Sequence, residues 1–356
     1  MGYNYSERIK LLMPNIKQAI SKERSSFRYQ LIASCLRRFI PSLLPSEYVQ
    51  FLEQVLINQA LAYSEQTDTQ MLKNCNYITS EPLSTEPRIY VSFHLSSYRL
   101  NMLYLLQNGL PITLVASKDV IKEQSSIIKR SCASVSSQTT HNIIDANHPN
   151  SIKSMLRELR DGRSIFAFID GNTGVDGMST SNKHLMRVPL LESHIMVRTG
   201  LAHLSKIANV PIVPMITYRK QNEFPTICLF NSILANSNEN TSNYVIRAIR
   251  VIYQYLDSAL RSYADQYEPW LYMYKFADKI STNTGQKQFC DINYKFNDFR
   301  YNAFCHKNIH YLLDNNDFSA IEIDADTYRH LKMNEVDINL INSQYRNYFI
   351  NQQVVI

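Results

Sequence analysis

Short apolar runs of strand length alternate, through the middle of the chain, with longer segments that carry apolar residues at three- and four-residue steps. The first pattern is typical of buried strands and the second of amphipathic helices. The predicted strands are RIYVSF, PITLVAS, HNIID, SIFAFID, PIVPMITYR and PTICLF. The predicted helices run from about Ser97 to Gln107, over NSIKSMLRELRDG between Asn150 and Gly162, over VRTGLAHLSKIA, and from about Tyr244 to Tyr267. This alternation predicts an α/β fold: a mixed, largely parallel sheet flanked by helices.

The two ends of the chain carry different patterns. Residues 1–80 are predicted as a helical lead-in, because YVQFLEQVLINQALAY has helical spacing and a helix start at Ser46 precedes it. In the tail, NIHYLLDNNDFSAIEID predicts a hairpin around DNND, and ADTYRHLKM and VDINLINSQYRNYFI predict helices. We therefore expect an α/β domain over 81–280 and a small α+β accessory domain over 281–356. The accessory domain resembles winged-helix modules that bind leader peptides; an extension that packs on the main domain explains the same pattern.

Composition narrows the class of protein. The formal net charge of the 356 residues is +6, and the basic residues are spread along the chain, which argues against nucleic acid as a partner. No uninterrupted apolar run reaches about 18 residues, so we expect no membrane span, which leaves peripheral contact with a membrane open. The six cysteines form no CxxC pair, which indicates a cytoplasmic location and no zinc site.

Two polar residues stand where predicted buried strands end. His94 follows RIYVSF, and its imidazole is suited to take a proton from an attacking hydroxyl or amine, although a histidine satisfied by backbone groups is the simpler alternative. Asp170 ends SIFAFID and opens the loop DGNTGVDG, which presents backbone N–H groups to an oxyanion or phosphate unless it is an ordinary turn. Since reactive groups collect at strand ends, His94 and Asp170 are expected to be neighbours.

Several stretches in order resemble one known family. They are FHLSSYRLNMLYLL, LRELRDGRSIFAFIDGNTGVDG, VPLLESHIMVRTGLAHLSKIANVPIVPMITYRK and PWLYMYKF, and over residues 25–280 the chain is similar to the late acyltransferases of lipid A biosynthesis, within the lysophospholipid acyltransferase-like superfamily. The resemblance implies that His94 is the general base. It also implies that the loop with Asp170, Gly171 and Gly174 shapes the acyl pocket or binds a substrate head group.

The same resemblance draws attention to three arginines. Arg187 and Arg198 flank the family's VPLL…TG element, and they could hold a phosphopantetheine phosphate or an acceptor carboxylate. In the family the histidine begins an HxxxxE or HxxxxD motif, whereas here the acidic position is Arg99, a further candidate for substrate contact. Three explanations stay open: Asp170 supplies the missing carboxylate, His94 acts without an acid on a nucleophilic amine, or the fold has lost turnover and only binds.

Together these observations predict a fatty acyltransferase. The donor would be an acyl thioester of acyl carrier protein or coenzyme A, and the acceptor a hydroxyl or amine of a soluble small molecule or peptide. His94 would act as the base, and neither a metal nor another cofactor would be required. The competing hypothesis is a non-catalytic protein that binds an acyl carrier or a peptide. A serine or cysteine hydrolase is disfavoured because neither a GxSxG elbow nor a Cys/His signature is found.

Overall fold

The computed structural model describes residues 4–68, 70–135, 141–170, 184–280, 293–333 and 335–356. Its strands are β1 Asn76–Thr79, β2 Ile89–Ser92, β3 Ile112–Ala116, β4 His141–Asp145, β5 Ser164–Phe168, β6 Leu185–Leu190, β7 Ser193–Arg198, β8 Ile212–Tyr218, β9 Thr226–Leu229, β10 Asn293–Tyr294, β11 Tyr301–His306, β12 Ile309–Asp314, β13 Ala320–Ile323 and β14 Val336–Asp337. Its helices are α1 Tyr5–Arg24, α2 Phe27–Phe39, α3 Tyr48–Glu65, α4 Met71–Asn74, α5 Arg99–Gln107, α6 Lys118–Val135, α7 Ser151–Arg160, α8 Gly200–Ala208, α9 Thr241–Tyr263, α10 Ala325–Leu331 and α11 Ser343–Asn351.

The main element is a seven-stranded sheet with the order β1-β9-β8-β2-β5-β3-β4. The β8–β9 pair is antiparallel and the other neighbours run parallel, which confirms the predicted mixed, largely parallel sheet. In the centre, β2 pairs with β5 in a register that places Ser92 opposite Phe168. Because these strands are parallel neighbours, the loops that leave their carboxyl ends begin side by side.

Helices cover both faces of the sheet, as expected. Along β2, Ile89 and Val91 join the apolar cluster on one face and Tyr90 joins the cluster on the other, which follows the two-residue period of a strand. The first cluster is completed by α1–α3, α8 and α9, and the second by α5 and α6. Each large apolar side chain buried in this way contributes roughly 1.5–3 kcal/mol, which fixes the strand ends that carry the polar groups.

The C-terminal region forms the predicted small α+β extension. Strands β11, β12 and β13 make an antiparallel sheet, and β10 pairs with β14. With α10 and α11 they enclose an apolar cluster of their own. The region contacts α2, where the Ser34 hydroxyl donates to Asn315 Oδ1 at 2.5 Å and Arg38 donates to the Asn316 carbonyl at 3.1 Å. The winged-helix resemblance stays a prediction.

Local differences from the predicted elements have physical causes. The start of the predicted helix VRTGLAHLSKIA was wrong, because its first residues end a hairpin of β6 and β7 in which Val188, Leu190, Ile195 and Val197 are buried at alternate positions. The predicted helix VDINLINSQYRNYFI was also too long: it starts as β14, and α11 begins only after Asn342, whose side chain caps it. Helix α6 and strand β1 were not predicted. Within the described ranges, no helix is long and apolar enough to cross a membrane.

Candidate active site

The structure brings His94 and Asp170 together at the adjoining ends of β2 and β5. The backbone N–H of His94 donates to Asp170 Oδ2 at 2.8 Å, and His94 Nδ1 lies 2.7 Å from Asp170 Oδ1. An ionised carboxylate only accepts hydrogen bonds, so Nδ1 carries the proton and Nε2 is left with a lone pair. The Asp170 side chain is buried, whereas 19% of the His94 side chain stays exposed. In this arrangement the carboxylate fixes the orientation of the imidazole, a geometry that is suited to base catalysis.

The surroundings of His94 favour its protonated form. Burial is the largest single effect and lowers the pKa of the imidazole, but the carboxylates of Asp170 and Glu268 outweigh burial, so the pKa is raised above its ordinary value of 6.5. Arg99 acts in the opposite direction and is the smallest of these contributions. The site therefore stabilises the imidazolium that forms when His94 takes a proton.

The loop that carries His94 is held in place by backbone contacts. The N–H of Ser96 donates to the Gln266 carbonyl at 2.8 Å, and the N–H of Glu268 donates to the His94 carbonyl at 3.0 Å. Ser96 is buried and has a φ of 53°, a left-handed conformation that is uncommon for residues other than glycine. The loop is therefore fixed by its neighbours in a conformation that its own sequence does not favour.

A buried ion pair lies behind this loop. The Glu65 carboxylate accepts from Arg219 Nη2 at 2.6 Å through each oxygen, and it also accepts from the hydroxyls of Tyr5 (at 3.0 Å) and Ser97. Glu65 is 0% and Arg219 6% exposed. This pair was not predicted from the sequence. The available signal was that Glu65 continues the buried stripe of α3, where an acid must have a partner.

A cavity of about 410 Å³ opens beside His94. Its apolar wall comes from α5, α6, β3, the end of β5 and the segment that follows α9. It comprises Met102, Leu103, Leu114, Val115, Ala116, Val120, Ile128, Phe168 and Leu271. Polar and charged side chains also line the cavity, among them Arg28, Gln66, His94, Tyr98, Arg99, Ser117, Gln124, Ser131, Glu268 and Lys275. The cavity thus joins an apolar channel to the histidine–aspartate pair.

Arg99 lies in the wall of this cavity and forms no ion pair with an acidic residue in the described part of the chain. Its Nη1 donates to Gln66 Oε1 at 2.8 Å, and its Nε donates to the Tyr98 hydroxyl at 3.2 Å. The guanidinium also lies over the rings of Tyr63 and Tyr98. Arg99 therefore lines the same cavity as His94, and its contact with substrate stays a prediction.

The other predicted residues lie elsewhere. Arg187 pairs with Asp278, with 2.5 Å between Nε and Oδ2, and neither Arg187 nor Arg198 is part of the cavity wall. Their role in substrate binding stays a prediction. Gly171 and Gly174 fall outside the residues that the structure describes. In the described part of the chain, no group of three or more His, Cys, Asp or Glu side chains could hold a metal ion.

Comparison with known proteins identifies the family to which the chain is similar. The family model described as bacterial lipid A biosynthesis acyltransferase matches residues 1–256, which is more than half of the 356 residues. A search of curated proteins found no match. Among solved structures, one similar chain is the crystal structure of the 1-acyl-sn-glycerophosphate acyltransferase PlsC from Thermotoga maritima, at 12% identity and a TM-score of 0.33, over 72% of this chain and 98% of that chain.

Proposed function

The chain belongs to the bacterial lipid A biosynthesis acyltransferase family, and from that membership we propose that it moves a fatty acyl group from a thioester to a hydroxyl or amine, with His94 as the general base. The family makes acyl transfer the general reaction. The observation that carries the finer proposal is the contact of His94 with Asp170 beside a cavity that has an apolar wall.

The His94–Asp170 pair supports general base catalysis. Asp170 fixes the ring with Nδ1 protonated, which leaves Nε2 to take the proton of the acceptor as its oxygen or nitrogen attacks the thioester carbonyl. The tetrahedral intermediate then collapses, the carbon–sulfur bond breaks, and the imidazolium returns the proton to the thiolate. Of the three explanations for Arg99, this geometry favours the one in which Asp170 replaces the family's missing acid.

The apolar channel suits the acyl chain of the donor. Side chains from α5, α6 and β3 surround the space beside His94, and a hydrocarbon chain gains about 0.8 kcal/mol for each methylene that leaves water. Either acyl carrier protein or coenzyme A could present the thioester. The positive net charge of the chain favours both of these acidic carriers. We also propose that the reaction takes place in the cytoplasm and needs no metal or other cofactor.

Release of free thiol from a panel of acyl thioesters tests the proposal. We expect wild-type protein to release thiol in the presence of an acceptor, and His94→Ala to release it roughly 10²–10⁴ times more slowly. His148→Ala is the matched control, because His148 is exposed and does not line the cavity. Equal release by wild type and His94→Ala would refute the role of His94. Absence of release from every thioester would instead favour a binding protein on the same fold.

A further inference from the structure

Arg99 forms no direct ion pair with any described residue. Its contacts are the carbonyl of the Gln66 amide, the Tyr98 hydroxyl and two aromatic rings, all of which are uncharged. Arginine only donates, so the Gln66 amide must present its oxygen to Arg99 and turn its nitrogen away. That nitrogen is buried and has no acceptor among the described residues, although Gln66 lines the cavity. An anionic oxygen at this point would satisfy both donors.

Glu268 offers the opposite charge in the same cavity. Its side chain accepts one hydrogen bond among the described residues, a long one of 3.3 Å from the Tyr98 hydroxyl, and it forms no direct ion pair with Arg99. The remaining acceptor positions of the carboxylate have no partner among the described residues, and the half-buried side chain lines the cavity. Glu268 also lies close enough to His94 to raise the pKa of the imidazole. A cationic group bound to Glu268 would consequently lie beside the base.

The short distance between the charges of Arg99 and Glu268 limits which ligands can contact both. Tyr98 Oη lies 3.2 Å from Arg99 Nε and 3.3 Å from Glu268 Oε2, so these two charged groups approach each other within 6.5 Å. The ring centres of Tyr98 and His94 are 4.7 Å apart, and the guanidinium carbon of Arg99 lies 5.3 Å from the Tyr98 ring centre. The guanidinium carbon is therefore at most 10.0 Å from the centre of the His94 imidazole. The phosphate of a pantetheine arm is separated from its thioester by a long chain, whereas an acceptor can carry an anion this close to its nucleophile.

We propose that the acceptor is a free α-amino acid, with its carboxylate bound by Arg99 and Gln66 and its amino group bound between Glu268 and His94. This inference rests on the proposed acyl transfer at His94. The ammonium first loses a proton to solvent. Its nitrogen then attacks the thioester carbonyl, gives a second proton to His94, and the carbon–sulfur bond breaks as His94 protonates the departing thiolate. The products are an N-acyl amino acid and a free thiol.

The test compares amino acids with analogues that lack one charge. Wild-type protein is incubated with palmitoyl coenzyme A and leucine, leucinamide or 2-hydroxy-4-methylpentanoate, and thiol release and acyl products are both measured. A mixture of all common amino acids is also tested, and any member that is acylated is then compared with its own amide and hydroxy acid. We expect leucine, or another member of the mixture, to be acylated at least about tenfold faster than its amide, because a hydrogen bond to a charged group is lost with the amide. The less basic amine of leucinamide biases the test against this result.

Two substitutions test which residue binds each charged group of the amino acid. Arg99→Gln should reduce the preference for the amino acid over its amide at least about tenfold, and Glu268→Gln should reduce the preference for the amino acid over its hydroxy acid. Arg261→Gln and Glu192→Gln are surface controls that should preserve both preferences. Equal rates for the amino acid and its amide in wild type, or unchanged preferences in both variants, would overturn the inference while thiol release still supported the transferase. Absence of thiol release with every acceptor would overturn the proposed function itself.

Discussion

Removal of Arg219 should strongly destabilise the main domain. In Arg219→Met the chain keeps a side chain of similar length, but the Glu65 carboxylate, which is 0% exposed, loses two contacts of 2.6 Å and stays buried with only the hydroxyls of Tyr5 and Ser97. A buried charge deprived of its partner costs about 3–5 kcal/mol. Since small domains are stable by roughly 5–15 kcal/mol, this is a large fraction of the total.

Urea denaturation followed by tryptophan fluorescence measures this loss. Trp270 is the chain's one tryptophan, and it is fully buried in the same apolar cluster as Tyr5. Adding Glu65→Gln to Arg219→Met should recover part of the lost stability, because the unpaired charge disappears. The matched control is Arg329→Met, which breaks an exposed pair with Asp326 and should leave the midpoint close to that of wild type. A loss below about 1 kcal/mol for Arg219→Met would refute the description of a buried ion pair behind the His94 loop.

Three further predictions concern catalysis. Asp170→Asn should slow product formation roughly 10²–10⁴-fold. In a pH–rate profile, wild-type kcat/KM should fall as the pH drops through the raised pKa of His94. Because loss of the carboxylate lowers that pKa, any residual activity of the variant should decline only at lower pH. Ile128→Trp should shift the preferred donor to shorter acyl chains, because Ile128 lines the apolar channel. Competition among thioesters of different length, followed by mass spectrometry, measures this shift. An unchanged preference would mean that the acyl chain binds elsewhere. Treatment with EDTA should leave the rate unchanged, and a loss of activity that zinc or magnesium restores would contradict a metal-free reaction.

The neighbourhood of His94 and Asp170 was predictable from local patterns. Both residues directly follow short apolar runs, and parallel strands bring their carboxyl ends to one edge of the sheet. The sequence did not state that β5 pairs with β2 rather than with another strand. That choice depends on how the helices pack on both faces, which no single segment contains. The contact between the two side chains was therefore an expectation that only the structure could test.

The rest of the site depends on long-range contacts. Glu65 and Arg219 are separated by 154 positions, and Glu268 reaches the site because its backbone bonds to the loop of His94. Helix α6 is a different case, because its sequence has the apolar spacing of an amphipathic helix and was overlooked. On that apolar side Cys132 is buried, and Val120 and Ile128 line the cavity.

Mass spectrometry of acyl transfer most directly tests the central claim that His94, oriented by Asp170, is the base of an acyltransferase. Wild-type protein and His94→Ala are incubated with mixed acyl thioesters and a pool of acceptors that includes amino acids, and the acylated products are identified. We expect an acylated product from wild type whose yield falls at least about 100-fold in the variant. The same yield of that product from both proteins would show that His94 is not the base.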